Sequence, residues 1–191
     1  MPPAAGQGCL MDGGDRNNEE QGRQPPAHGA TCCTFTTPAG PVQLSFLRDR
    51  LVAICLGSAD GAEIAALHPR CRDIALKIRA FLRRQSRTLP IVPYMLTFGT
   101  PFQQRVWRAL PGIPAGTTTT YGALAVRVGV PRGARAVGQA VGCNPLPVVL
   151  PCHRVVACDG AGGFGAGLCW KRYLLECEGG SLPDSRPVFS I

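Results

Sequence analysis

Apolar and polar positions alternate from residue 31 to residue 57, and the alternation breaks twice. Residues 31–37 run into Pro38-Ala39-Gly40-Pro41, residues 42–47 run into Arg48-Asp49-Arg50, and residues 51–56 complete the set. A period of two interrupted by such turns predicts a three-stranded meander. Over residues 71–84 the period changes, and Ile74, Ile78, Phe81 and Leu82 form one stripe at helical spacing. The prolines of Thr88-Leu89-Pro90-Ile91-Val92-Pro93 hold that stretch extended and predict a linker. Beyond it, residues 102–110 predict a short amphipathic helix with Phe102, Val106 and Leu110 on one face, closed by Pro111-Gly112-Ile113-Pro114-Ala115-Gly116. Residues 121–128 and 132–142 predict two helices around the turn Gly129-Val130-Pro131. Residues 168–178 predict a last helix with Trp170, Tyr173, Leu174 and Cys177 facing inward. Residues 1–30 are rich in Gly, Pro, Gln, Asn and charge, and we expect a disordered tail there. The pattern is that of an α+β protein, with a small sheet-plus-helix domain over 31–92 and a mainly helical domain over 93–191.

Charge sharpens this picture more than composition does. The 191 residues are 45% hydrophobic, ordinary for a packed chain, and the formal net charge is +8. An arginine-rich composition alone would explain that total, but not its distribution. No acidic residue occurs from Ile74 to Cys158, and that span holds eleven Lys or Arg; eight acids precede it and four follow. A stretch so purely basic points to a polyanionic partner such as nucleic acid. Ten cysteines are too few for a disulfide scaffold of this length. Residues 1–30 lack the apolar core of a secretory signal, and no apolar run reaches membrane-spanning length. Reduced thiols, a cytoplasmic (nucleoid-associated) or nuclear location and no membrane contact are therefore expected. No C-x-x-C or H-x-x-x-H pair occurs, so no metal is expected, although His28 and His68 could meet Cys9, Cys32 or Cys33 in space.

Two short helices joined by a glycine-containing turn describe a helix-turn-helix. The second carries Gly133, Ala134, Ala136, Gly138, Ala140 and Gly142, although glycine weakens a helix by roughly 1 kcal/mol each. Close helix packing would explain such bareness. So would approach to the minor groove, about 6 Å wide, by a helix that with ordinary side chains is about 10–12 Å across. Arg135 projects from this bare surface, placed to enter the base stack or to bind a phosphate.

The chemistry centres on Leu150-Pro151-Cys152-His153-Arg154-Val155-Val156. A buried structural cysteine is the commoner fate of a thiol. Against it stand the adjacent imidazole and the flanking Pro147 and Pro151. Neighbouring side chains on a strand point to opposite faces, so Cys152 and His153 can cooperate only where the chain bends. An imidazole within reach, directly or through a water, would lower the thiol pKa. A carboxylate would then orient the imidazole, and after Asp159 only Glu176, Glu178 and Asp184 are available. Glu178, at a helix end that disfavours a carboxylate, would be justified by a specific partner; a solvated charge is the alternative.

These residues resemble the O6-alkylguanine-DNA alkyltransferase family. The resemblance is carried by Gly99-Thr100-Pro101-Phe102-Gln103 with Val106-Trp107, Thr120-Tyr121-Gly122, Ala134-Arg135-Ala136-Val137-Gly138, Asn144-Pro145, Pro151-Cys152-His153-Arg154-Val155 and Gly163-Phe164, in that order over about residues 93–180. It implies a ribonuclease H-like N-terminal domain followed by a winged-helix-like DNA-binding and catalytic domain. It also implies a monomer that needs no cofactor and acts once on double-stranded DNA containing O6-alkylguanine, and on O4-methylthymine. The second helix of the pair would enter the minor groove, the damaged base would rotate into a pocket, and its alkyl group would pass irreversibly to Cys152. The resemblance further implies that His153 takes the thiol proton through a water, Glu178 orients His153, and Tyr121 donates to the departing guanine and crowds a phosphate. Arg135 would fill the gap in the stack, Gln103 would contact DNA, and Asn144 would hold the turn before the reactive segment. The carbonyls of Cys152 and Val155 would read the guanine amino group, and Phe164 and Gly165 would line the pocket. Phe164 stands where many relatives have Tyr, and the small residues around it suggest room for alkyl groups larger than methyl. Leu47 and Val52 occupy positions that supply zinc ligands in some relatives.

Two other functions fit parts of the pattern. A non-enzymatic lesion-binding relative would lack the cysteine, which is present. A thiol hydrolase built on Cys152, His153 and Glu178 would need an oxyanion hole, which nothing in the sequence indicates.

Overall fold

The computed structural model describes residues 29–86, 88 and 91–183. The expected disordered tail falls outside them except for its last two residues. The alternating stretch forms β1 (Thr31–Thr37), β2 (Gly40–Leu47) and β3 (Arg50–Leu56), consecutive and antiparallel. The β2–β3 connection places Arg48 and Asp49 at φ 50° and 60°, the left-handed pair whose twist suits a two-residue hairpin. A two-residue strand, β4 (Ala62–Glu63), joins the far side of β1 in parallel, giving the order β3-β2-β1-β4. It is too short to leave an alternation signal.

Helix α1 (Pro69–Leu82) begins with a proline in its first turn, where the missing N–H costs nothing. Its stripe of Ile74, Ile78, Phe81 and Leu82 is buried with Cys33, Leu44 and Ile54 of the sheet. The end of the stretch expected to be a linker is tied down, while Ile91 within it is fully exposed. The Leu51 N–H donates to the Pro93 carbonyl at 3.1 Å, the Met95 N–H donates to the Leu51 carbonyl at 2.9 Å, and Val92 is buried. Proline enforces extension, and an extended strand edge accepts a neighbour as readily as it spans a gap. The core residues of both halves form one continuous cluster.

Helix α2 (Pro101–Ala109) opens with a reciprocal cap. The Gln103 N–H donates to Thr100 Oγ1 at 3.2 Å, and the Thr100 N–H donates to Gln103 Oε1 at 2.8 Å. Gly99 precedes it at φ 96°, and a β-carbon there would stand 2.5 Å from the Trp107 ring. Trp107 is fully buried and donates its indole N–H to the Ala140 carbonyl at 2.6 Å. That bond fixes α2 against α4 (Ala134–Gly142), which follows α3 (Tyr121–Arg127). A short parallel pair, β5 (Thr119–Thr120) with β6 (Val155–Val156), sets the start of α3 beside the reactive segment. Helix α5 (Leu168–Cys177) closes the described chain. Trp170, Leu174 and Cys177 face inward as expected, and so does Lys171.

Candidate active site

The bend that the Cys-His pair requires is present. Residues Cys152–Arg154 form one 3-10 turn between Pro151 and β6, and all three side chains are buried. The turn replaces the strand geometry that would separate Cys152 and His153 to opposite faces, and β6 then pairs with β5 to carry Tyr121 alongside.

His153 is wholly buried and lies 2.6 Å from Glu178 through Nε2. The Glu178 side chain is equally buried, so the solvated-charge alternative does not hold. Its two oxygens also accept from Arg154 Nε at 3.2 and 3.0 Å, from Arg154 Nη2 at 2.9 Å and from the Gly116 N–H at 2.8 Å. Burial works to raise the Glu178 pKa, but the hydrogen bonds from His153, Arg154 and Gly116 outweigh it and hold the group down to about 2. An ionised Glu178 can only accept, so His153 Nε2 carries the proton and Nδ1 is left with its lone pair. Among the described residues, that Nδ1 is the one buried side-chain nitrogen or oxygen without a hydrogen-bond partner. Burial pushes the imidazole pKa below its ordinary value, against the pull of Glu178. The ring is therefore neutral, oriented from behind, and ready to take a proton at Nδ1.

The thiol differs from expectation. Burial pushes Cys152 up to about 11, opposed by a hydrogen bond from Asn144 and by the nearby Lys171 ammonium. A neutral imidazole adds no positive charge, so the resting thiol stays protonated. Asn144 also bridges its own turn, donating from Nδ2 to the Leu150 carbonyl at 2.7 Å and accepting at Oδ1 from the Leu146 N–H at 3.1 Å. The turn it spans holds Val148 at φ 80°, which a β-branched residue adopts only under constraint.

Lys171 is the participant that periodicity did not single out. Its ammonium is fully buried and donates to the carbonyls of Val155 at 2.7 Å, Ala161 and Gly163 at 3.2 Å. Desolvation lowers its pKa to about 8, while the three carbonyls use all three of its protons. One group thereby ties β6 to the glycine-dense loop of residues 160–167. A lysine placed between Trp170 and Leu174 on the apolar stripe of α5 was the available signal. The Val155 carbonyl, expected to read a guanine amino group, already accepts from Lys171 and retains its second lone pair.

Tyr121, at the first turn of α3, lies over that loop with its hydroxyl 3.5 Å from the Gly163 carbonyl. Gly162, at φ 66°, permits the contact; a β-carbon there would stand 3.1 Å from the Tyr121 ring. Burial raises the phenol pKa, and the charge of a Cys152 thiolate raises it further. Phe164 is half-buried and Gly165 exposed on the same loop. Arg135 is exposed on α4, one turn before Gly138, where a β-carbon would stand 3.8 Å from the Tyr121 ring. Gln103 has its amide oxygen committed to the cap of α2. Cys152, His153, Glu178, Tyr121, Asn144 and Val155 thus converge, whereas among the described residues no hydrogen bond ties Arg135, exposed, or Gln103, half-buried in the cap of α2, to them. Among the described residues no group of His, Cys, Asp or Glu could hold a metal ion, and no helix is long and apolar enough to cross a membrane.

A buried thiol next in sequence to an imidazole oriented by a buried carboxylate, in a chain that also carries two short consecutive helices, defines a protein of the buried-cysteine, α+β class. Residues 101–180 match the DNA-binding-domain model of 6-O-methylguanine DNA methyltransferase. The chain is 49% identical over 92 residues to a methylated-DNA–protein-cysteine methyltransferase of Mycobacterium bovis, covering 48% of this chain and 56% of that one. A protein of the same description from Haemophilus influenzae is 51% identical over 81 residues, covering 42% and 45%. The aligned region thus spans about half the length of these curated relatives. The structural likeness reaches further. The crystal structure of Mycobacterium tuberculosis OGT in complex with DNA is 34% identical, with a TM-score of 0.67, covering 78% of this chain and 92% of that one. The O6-methylguanine-DNA methyltransferase of Pyrococcus kodakaraensis has a TM-score of 0.51 at 28% identity. The chain belongs to the O6-methylguanine DNA methyltransferase family.

Proposed function

We propose that this protein repairs double-stranded DNA by transferring the O6-alkyl group of guanine, and the O4-methyl group of thymine, to Cys152. The observation that carries the proposal is His153 Nδ1, a buried, unpartnered lone pair on the residue that follows the buried, protonated Cys152. Sulfur forms a bond to the alkyl carbon as the carbon–O6 bond breaks. The thiol proton passes to His153, through a water, and the departing guanine takes a hydrogen bond or proton from Tyr121. Glu178 holds His153 in the productive tautomer and stabilises the imidazolium that forms. The product is a thioether, which water does not cleave, so each molecule reacts once.

The target atom lies inside a stacked duplex, and in-line attack requires the base to leave the stack. The pair α3 and α4 serves as a helix-turn-helix, with the bare face of α4 against the minor groove and Arg135 in the vacated stack. Gln103 offers its amide nitrogen to the backbone. Phe164 and Gly165 line the pocket, and the Val155 carbonyl reads the guanine amino group. Residues 31–92 and 93–191 act as a supporting and a reactive domain. The protein works as a monomer, without cofactor, in the cytoplasm at the nucleoid or in the nucleus.

The test is to incubate the protein with an O6-methylguanine duplex and weigh the peptide that contains Cys152. One added methyl on that sulfur is expected. An unchanged mass with tight binding would leave only lesion recognition. Cys152→Ser should abolish transfer while DNA affinity persists; loss of both would make the thiol structural.

A further inference from the structure

Helix α5 has two opposite faces with separate work. Lys171 and Glu178 are seven residues apart, which brings them to one side of the helix, against the segment that carries Cys152 and His153. Trp170, Tyr173 and Glu176 lie around the other side and meet the sheet and α1. A β-carbon on Gly40, at the β1–β2 turn, would stand 3.6 Å from Trp170. The Tyr173 hydroxyl donates to the Leu82 carbonyl at the end of α1. Arg84 makes the remaining contacts, with Nη2 2.6 Å from Glu176 Oε2 and its guanidinium 5.0 Å from the centre of the Tyr173 ring.

The backbone of Arg84 is itself unusual. It follows the C-cap of α1 at φ 58°, the left-handed position that most often holds glycine. An arginine keeps that conformation here while its side chain reaches α5, 92 residues further along the chain. A non-glycine residue held in this region calls for a compensating role.

We infer that Arg84 is a positioning residue of the transfer reaction: by clamping α5 from the side away from the thiol, it holds Lys171 and Glu178 in register with Cys152 and His153. The inference rests on the alkyl-transfer reading above. It gives the N-terminal sheet and α1 a part in the chemistry without any contact to DNA or to the reacting atoms.

The test compares wild type with Arg84→Ala, Arg84→Lys and Glu176→Gln, well below their melting midpoints. Single-turnover transfer is measured from an O6-methylguanine duplex and from free O6-benzylguanine, with DNA affinity measured separately. Arg84→Ala should slow transfer about fivefold with both substrates, the size expected of one such ion pair, while DNA affinity is unchanged. Arg84→Lys, which keeps the charge opposite Glu176, should recover most of the rate. If Arg84→Ala does not fold, Glu176→Gln carries the same comparison with Arg84 still in place. Transfer at the wild-type rate in the folded variants, with only a lowered melting midpoint, would overturn the inference. So would a loss of rate explained by lost DNA affinity. Wild-type protein that takes up no alkyl group would instead overturn the alkyl-transfer reading.

Discussion

Cys152 and His153 rest in their neutral forms, and burial is the cause at both. Reaction therefore begins with a proton crossing from sulfur to Nδ1, and this is possible only while His153 is unprotonated. Its depressed pKa keeps it so below the ordinary imidazole value of ~6.5. The transfer rate constant should accordingly have its acid limb displaced below ~6.5, reach its plateau at about pH 7 and decline again as Lys171, lowered to about 8, loses a proton. An acid limb at or above ~6.5 would remove His153 as the base. Stability follows the same groups. Both Glu178 and His153 have lowered folded-state pKa values, so the unfolded chain binds their protons more readily. Their contribution is whole above the unfolded values of ~6.5 and ~4.3 and declines as pH falls below each, the Glu178 part running on down to about 2. Glu178→Gln leaves the Arg154 guanidinium buried without its counter-charge, which should cost about 3–5 kcal/mol. The half-exposed Arg84–Glu176 pair should cost no more than about 1 kcal/mol when broken. Denaturant titration of Glu178→Gln and Glu176→Gln at pH 7 checks the contrast, and comparable losses would mean Glu178 is not held as described.

Single elements converge on the reactive turn because one buried ammonium organises them. Lys171 supplies β6 and the 160–167 loop with three hydrogen bonds, and methionine at this position would fill the space without making any. Three carbonyls would then lose a partner, and only those that water reaches escape the desolvation cost of about 1–3 kcal/mol each. Lys171→Met should keep its helices yet become cleavable in the loop under limited proteolysis, with transfer lost. An uncut loop would show that the glycine-dense segment holds itself. This element also marks how far the sequence could be read. The meander, α1, α2 and α5 were legible because each buries one face and so repeats at its own period. The Cys-His-Arg turn was legible as a site because two reactive side chains stand side by side directly after Pro151. The ionisation of Cys152 was not, since burial depends on what the rest of the chain packs around it. Nor was β4, whose two residues carry no period, or the docking of residues 93–95 on β3, which proline extension did not foretell. Lys171 stood on an apolar stripe in plain view, but its three acceptors are backbone carbonyls, which leave no trace in side-chain identity.

Across the whole molecule, the acid-free span from Ile74 to Cys158 contains all of α2, α3 and α4, and no carboxylate on these helices offsets their arginines. Affinity for DNA should fall as salt rises, because each phosphate that the protein neutralises releases counterions with a log–log slope near −0.9 per contact. That dependence can assign Arg135, the one charged side chain on α4. If Arg135 occupies the space left by an extruded base, its charge is not spent on a phosphate. Arg135→Ala should then slow repair in duplex DNA severely, leave reaction with free O6-benzylguanine near wild type, and preserve the salt slope. If Arg135 binds a phosphate instead, the same substitution should reduce the slope by about one unit, and repair should slow only as far as affinity falls. Single-turnover rates on the two substrates, with duplex affinity measured at several salt concentrations, separate the cases. Equal slowing on both substrates would mean that Arg135 acts on the pocket itself, and would overturn both assignments.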